Sequence, residues 1–266
     1  MMNSVKKSIP FRIRFIIKKI FYLGTSYYCN CCESHIRRFC PGAEDLPPVV
    51  ENRITGAGYR EQDYCPVCKS TYRHRMVWLY LQELKIWGNP LTVLHVAPEE
   101  MIARKLRRMK QLKYISGDTD PERYRHFTDA IRLDITQIPF ADETFDIIIC
   151  NHVLEHIPDD RLAMGELHRV LKPEGFAVLQ VPLSKILEKT YENPAIQSEE
   201  ERLRHFGQKD HVRIYGKDYA PRLTSAGFEV TEYNPFAESH HPAIDKLALD
   251  PDERVFVARK ACRIRI

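Results

Sequence analysis

The sequence of 266 residues predicts an α/β protein: a mostly parallel sheet with helices on both faces and one antiparallel edge strand, preceded by a small cysteine-rich module. Three observations predict it. Beyond Pro90, short apolar runs alternate with helical patterns, and the run FDIIIC at 145–150 reads as a strand buried on both faces. The last two strand-like runs have no helical pattern between them, which calls for an antiparallel partner at one edge. Six of the eight cysteines fall between positions 29 and 68, in a stretch rich in proline and glycine with little periodicity.

The elements follow in order. Residues 1–28 form a basic amphipathic segment, because Ile9, Ile13, Ile16, Ile17 and Ile20 recur at helical spacing with Arg12, Arg14, Lys18 and Lys19 between them. Residues 29–72 are the cysteine module. A helix runs over 71–87, stopped by Gly88-Asn89-Pro90. Strands are expected at 91–96, 112–116, 130–133, 145–150 and 175–181, with helices at 99–109 and 161–171. Residues 183–216 are polar and long, an insertion over the carboxyl edge of the sheet that reads as a substrate lid. A helix at 217–226 and strands at 228–233 and 254–259 close the chain, so the sheet domain spans 73–266.

Charge narrows the partners. Lysine and arginine total 40 against 36 acids. Six of the bases lie in residues 1–28, which hold no acid, so the remainder carries 34 bases against 36 acids. A body this close to neutral is a poor nucleic-acid binder by charge count. The charges at positions 12, 14, 18 and 19 break the best candidate for a membrane span or signal peptide, Ile9 to Leu23. The expectation is a cytoplasmic protein, with residues 5–23 free to lie on an anionic membrane surface at its inner face, or to pack on the protein or a partner. Nothing in the sequence sets the oligomeric state.

Eight cysteines in a reducing compartment point to metal before disulfides. Cys29-x-x-Cys32 and Cys65-x-x-Cys68 have the spacing of two knuckles presenting four thiolates to one structural zinc ion. Cys31, His35 and Cys40 are alternative ligands, and free thiols are the bland reading. A segment this poor in apolar residues has little core of its own, and structural zinc contributes an apparent ~10–16 kcal/mol in small fingers. Cys150 and Cys262 are isolated, and Cys150 reads as a small buried residue.

In an open parallel sheet, ligands bind beyond the carboxyl ends of the strands. The residues there are His95, Ala97 and Glu99 after the first strand, Asp118 after the second, Asp134 and Ile135 after the third, and Asn151 and His152 after the fourth. Asp118 stands where an acid holds a ribose hydroxyl pair, although a helix N-terminal acid would look the same. Asp134 suits an exocyclic adenine amine while Ile135 packs on the ring; a turn acid is the alternative.

Residues 133–182, LDITQIPFADETFDIIICNHVLEHIPDDRLAMGELHRVLKPEGFAVLQVP, resemble class I S-adenosylmethionine-dependent methyltransferases of the type 11-like kind. The acid after the third strand, the approach to the fourth, the VLEHI turn and the RVLKPEG turn carry the likeness. HVAPE at 95–99, the run from 205 to 230 and the triplet Arg73-His74-Arg75 are similar to a bacterial branch with an N-terminal CxxC…CPxC zinc module. The resemblance implies a Rossmann-like seven-stranded sheet, a zinc-ribbon-like module and S-adenosylmethionine as cofactor. The sequence departs from that family after the first strand. His95 stands in the place of an acid, and Ala97-Pro98-Glu99 replaces a glycine-rich turn.

Methyl transfer is an in-line displacement that depends on placing nucleophile and methyl group. His211 in DHVR and His152 are the candidate catalytic residues, as base or substrate contact, with a structural histidine as the alternative at 211. Arg73, His74 and Arg75 are candidates for an anionic substrate, or simply a charged first helical turn. Glu155 reads as a cap for local backbone amides. The leading function is methylation of a small molecule or a glycan or lipid-linked precursor. An RNA methyltransferase gripping RNA through the zinc module, and a catalytically silent scaffold of the same fold, are the competing readings.

Overall fold

Seven strands form one sheet: β1 (Leu91–Val96), β2 (Leu112–Asp118), β3 (Ile131–Arg132), β4 (Phe145–Cys150), β5 (Leu171–Val178), β6 (Phe228–Tyr233) and β7 (Val255–Lys260), in the order β6-β7-β5-β4-β1-β2-β3. The computed structural model describes residues 11–85, 88–237 and 244–260. The expectations on residues 5–10, Trp87 and Cys262 lie outside these. β1 to β5 are parallel, and the one antiparallel strand is β7. It lies toward the expected edge, inserted between β5 and β6 with β6 outermost.

The strands are buried on both faces, as their composition requires. In β4, Ile147 and Ile149 join an apolar cluster with Met76, Val77 and Leu79 of α2 (Tyr72–Glu83) and Ile102 of α3 (Glu100–Leu106). Ile148 and Cys150 face the opposite cluster with Ala163, Met164 and Leu167 of α4 (Asp160–Val170) and Leu223 of α6 (Tyr219–Ser225). Period-two alternation divides one run between two layers of helices. α4 starts one residue earlier than its pattern suggests because Asp159 caps it, accepting from Leu162 N at 2.9 Å. β5 begins directly after α4 and bulges before Phe176, so the KPEG turn belongs to the strand.

The cysteine module is two small hairpin-like pairings. Leu23–Cys29 pairs with Ser34–Ile36, and Cys40–Gly42 pairs with Arg60–Tyr64. Its cysteines, Cys40 apart, pack in the same apolar cluster as α2 and the sheet. The stretch between the knuckles reaches the insertion: Ile54–Thr55 pairs with Leu183–Ser184, and the short helix Pro47–Glu51 packs on α5 (Glu199–Phe206). A second short pairing, Tyr191–Glu192 with Arg213–Ile214, folds the insertion back on itself.

Candidate functional site

Strand order reverses between β1 and β4, which lie side by side with Val96 opposite Cys150. The turns leaving those two strands therefore open a crevice. Ala97 occupies the left-handed region at φ +46°, the conformation a glycine would adopt without strain. Gly117 at the end of β2 is required by closeness instead: a Cβ there would stand 2.6 Å from Leu133 Cβ.

His95 is fully buried and does not face the crevice. Its Nδ1 accepts from Tyr114 Oη at 2.9 Å, and its Nε2 bonds Glu99 Oε2. Whatever His95 contributes to a ligand, it contributes through Glu99. The other oxygen of Glu99 accepts from Asn151 Nδ2 at 3.0 Å. Burial pushes the Glu99 carboxyl up, but His95 and Asn151 pull it down further, to about 2. The turn after β1 thus carries its carboxylate at 99 instead of 95. Asp118 is fixed by Tyr124 Oη on Oδ2 at 2.8 Å and Asp120 N on Oδ1 at 2.8 Å. Asp134 is exposed and anchored by Thr136 N and Oγ1 at 2.8 and 2.7 Å, and Ile135 beside it is buried. Four strand ends therefore present Glu99, Asp118, Asp134 and Asn151.

Next to Asn151 lies a cavity of about 470 Å³. Its walls are the module (Leu46, Val49, Ile54, Gly56), the turn after β4 (His152, Glu155, His156), the insertion (Phe206, His211, Arg213, Ile214) and Arg73. Both expected catalytic histidines line it. His152 sits at φ +55° with Arg73 Nη1 3.2 Å from its Nδ1, and Glu155 Oε1 is 3.4 Å from the same nitrogen. Burial, with Arg73 adding to it, holds His152 well below its ordinary value. His211 is pushed down to about 4 by burial and by His156, whose ring is 4.6 Å away, so it is a neutral imidazole at pH 7. Arg213 donates to the carbonyls of Leu154 and Pro158 at 2.9 and 2.8 Å and to Glu192 at 2.8 Å, clamping the turn that carries Glu155 and His156.

A larger cleft of about 820 Å³ is lined by Asp160, Glu192, Arg213 and Arg222, whose charges pair with one another at 2.8–3.1 Å. None of the residues expected on cofactor or acceptor lines it.

Residues 81–179 match the family described as a methyltransferase domain. Over 75 residues the chain is 35% identical to an uncharacterized methyltransferase of Mycobacterium sp. strain KMS, covering 26% of this chain and 29% of that one. Over 117 residues it is 26% identical to the ubiquinone/menaquinone biosynthesis C-methyltransferase UbiE of Coxiella burnetii, covering 39% and 47% of the two chains. The chain thus spans less than half the length of these curated relatives. Among solved structures it is similar to the YcgJ protein of Bacillus subtilis, at 14% identity, 70% and 99% coverage and a TM-score of 0.46.

The matched stretch packs against a cysteine centre. One Sγ atom from each of Cys29, Cys32, Cys65 and Cys68 lies within 4.8 Å of the others, and all four residues are buried. Cys29 and Cys68 sulfurs are 3.7 Å apart, and Cys32 and Cys65 sulfurs 3.8 Å. A tetrahedral zinc ion with bonds of about 2.3 Å separates its sulfurs by about 3.8 Å. The knuckles are built alike: the residue after each second cysteine, Glu33 and Lys69, has positive φ, +54° and +69°. Among the described residues, Cys31, His35 and Cys40 do not join this cluster.

The triplet at 73–75 splits. Arg73 lines the cavity and donates to Gly56 O at 2.5 Å. His74 Nδ1 accepts from Thr71 N at 3.1 Å at the start of α2. Arg75 is fully buried, donating to Leu247 O at 2.7 Å and Ser70 O at 3.1 Å and stacking on Phe39 at 3.8 Å. It is a structural post and takes no substrate. Glu155 is more than a cap: it is 1% exposed, its Oε2 has no partner, and burial raises its carboxyl to about 8. Sequence reading undervalued it because the histidine that faces it, His211, is 56 positions away.

Proposed function

We propose that the chain is an S-adenosylmethionine-dependent methyltransferase whose acceptor, a small molecule or a glycan or lipid-linked precursor, occupies the 470 Å³ cavity. The reading rests on Glu99, Asp118, Asp134 and Asn151 standing at four strand ends, with Asn151 next in the chain to His152 of the cavity wall. Asp118, oriented by Tyr124, holds the ribose hydroxyls. Asp134 accepts from the adenine amine and Ile135 packs on the ring. Glu99 and Asn151 face the methionine end, where a carboxylate complements an ammonium group. When bound, the cofactor supplies a methyl group on a positively charged sulfur. His152 and His211 line the acceptor side as neutral imidazoles that position the attacking group.

Calorimetric titration of zinc-loaded protein with S-adenosylmethionine tests this, with Asp118→Ala as control. Charge-assisted bonds are worth ~1.5–3 kcal/mol, so the control is expected to bind roughly tenfold to a hundredfold more weakly. No binding at millimolar cofactor in folded protein overturns the reading.

Zinc on the four thiolates is part of the proposal, as the post that fixes the module against the domain. So is membrane contact. α1 (Phe11–Phe21) exposes Ile16 (56%) and Ile20 (71%) among Arg14, Lys18 and Lys19. No described helix is long and apolar enough to cross a membrane. A basic helix with an exposed apolar stripe suits the anionic inner face of a membrane, where a lipid-linked acceptor would lie. Co-sedimentation with anionic but not neutral vesicles, lost in Ile16→Asp/Ile20→Asp, is the expected result. Equal recovery with both vesicle types refutes it.

A further inference from the structure

We propose that Glu155, His156 and His211 form a divalent-metal site, separate from the four thiolates, that opens into the acceptor cavity. One ligand atom from each lies within 4.8 Å of the other two. Two imidazoles and one carboxylate are a donor set for a first-row transition metal with open positions left over. The carboxylate supplies the second observation. Glu155 Oε2 is buried with no hydrogen-bond partner, while Oε1 is 3.4 Å from His152 Nδ1. A buried polar atom left unpartnered costs free energy and calls for a ligand. An ion among these three residues satisfies it.

The outer contacts agree. His156 Nδ1 lies 3.3 Å from both the backbone oxygen and Oδ2 of Asp210. His211's ring lies edge-on to that of His156, with centroids 4.6 Å apart. Metal-binding imidazoles characteristically give one ring N–H to a carboxylate or carbonyl, which fixes the ring and leaves the other nitrogen's lone pair for the metal. The nearby cations are committed elsewhere, Arg73 to Gly56 O and His152, and Arg213 to the carbonyls of Leu154 and Pro158 and to Glu192. All three ligands line the 470 Å³ cavity, so the open positions face the space available to an acceptor. That an acceptor oxygen fills one of them rests on the methyltransferase reading above. In that arrangement His211 is a ligand and the ion's charge, not the imidazole, acidifies the acceptor.

The test is a Co²⁺ titration of the full chain with its thiolate site already filled with zinc. One further equivalent is expected, with visible ligand-field bands and no thiolate-to-metal charge-transfer band. Glu155→Gln and His211→Gln are each expected to weaken it by more than tenfold, and Asp210→Asn by about tenfold. Thermal unfolding checks that each variant is folded. Absence of a further equivalent in the wild-type chain, or one showing the thiolate band, overturns the site without recourse to the variants. So does a further equivalent that persists unchanged in folded Glu155→Gln and His211→Gln. Cofactor titration is run separately, so failure of S-adenosylmethionine to bind leaves the Co²⁺ result standing, and the reverse.

Discussion

Replacing Glu99 by glutamine changes one oxygen to an amide nitrogen and removes a charge at the point where three side chains meet. His95 donates through Nε2 to one oxygen, because its Nδ1 is occupied by Tyr114 Oη, and Asn151 donates to the other. Glutamine can accept from only one of them. Its NH₂ then faces a second donor, and turning Asn151 to relieve the clash forfeits the 3.3 Å bond from Gln180 N to Asn151 Oδ1. One buried donor is orphaned either way, at about 1–3 kcal/mol. The carboxyl's displacement from 4.5 to about 2 gives a comparable figure, about 3 kcal/mol at 1.36 kcal/mol per pKa unit. Because the folded-state value is the depressed one, this stability is present in full above about 4.5 and is lost as pH falls toward 2. Urea unfolding of wild type and Glu99→Gln at pH 7 should therefore differ by ~2–3 kcal/mol, and the gap should close in acid as the wild type weakens. A gap under ~0.5 kcal/mol at pH 7 would refute the charged, doubly bonded Glu99 described here. So would a gap that does not change with pH.

Three further outcomes are expected. Ala97→Gly relieves ~1–2 kcal/mol of left-handed strain and gives back ~0.4–1 kcal/mol in unfolded-state entropy, so a thermal melt should rise by a few degrees; a fall would mean the Ala97 methyl is packed to advantage. Tyr215→Phe removes the 2.7 Å bond to Asp160 Oδ2 in a fully buried site, and denaturant titration should register a loss of ~1.5–3 kcal/mol; no loss would mean Arg222 alone satisfies Asp160. Stripping zinc with a chelator should lower the melting temperature and deprotect the amides of α2 in hydrogen exchange, since the thiolate knuckles share a cluster with Met76 and Leu79; an unchanged melt on loss of one zinc per chain would refute the structural role.

The sheet was readable because burial on both faces writes itself as continuous apolar runs, FDIIIC above all. The module's pairings left no such trace, since strands of three residues such as Ser34–Ile36 and Cys40–Gly42 are held by sulfur and turns instead of periodicity. That Asp118, Asp134 and Asn151 stand at strand ends was legible from position alone. His95 was not: its orientation depends on Tyr114 across the β1–β2 pairing. Arg73 and Arg75 look equivalent in sequence yet do opposite work, because two steps along a helix turn a side chain by about 200°. One points into the cavity and the other into the core. The meeting of Glu155 with His211 is invisible in sequence, for it depends on the insertion folding back over the turn after β4, where Val212 N donates to Glu155 O at 2.9 Å.

The segment between the two knuckles, residues 33–64, contributes Leu46, Val49, Ile54 and Gly56 to the cavity wall while its ends are tied to the cysteine centre. An arch held at both feet can change length and composition without disturbing the sheet that carries Asp118 and Asp134. Descendants of such a chain can acquire new acceptors by rewriting that arch, leaving the inherited chemistry of the strand ends untouched.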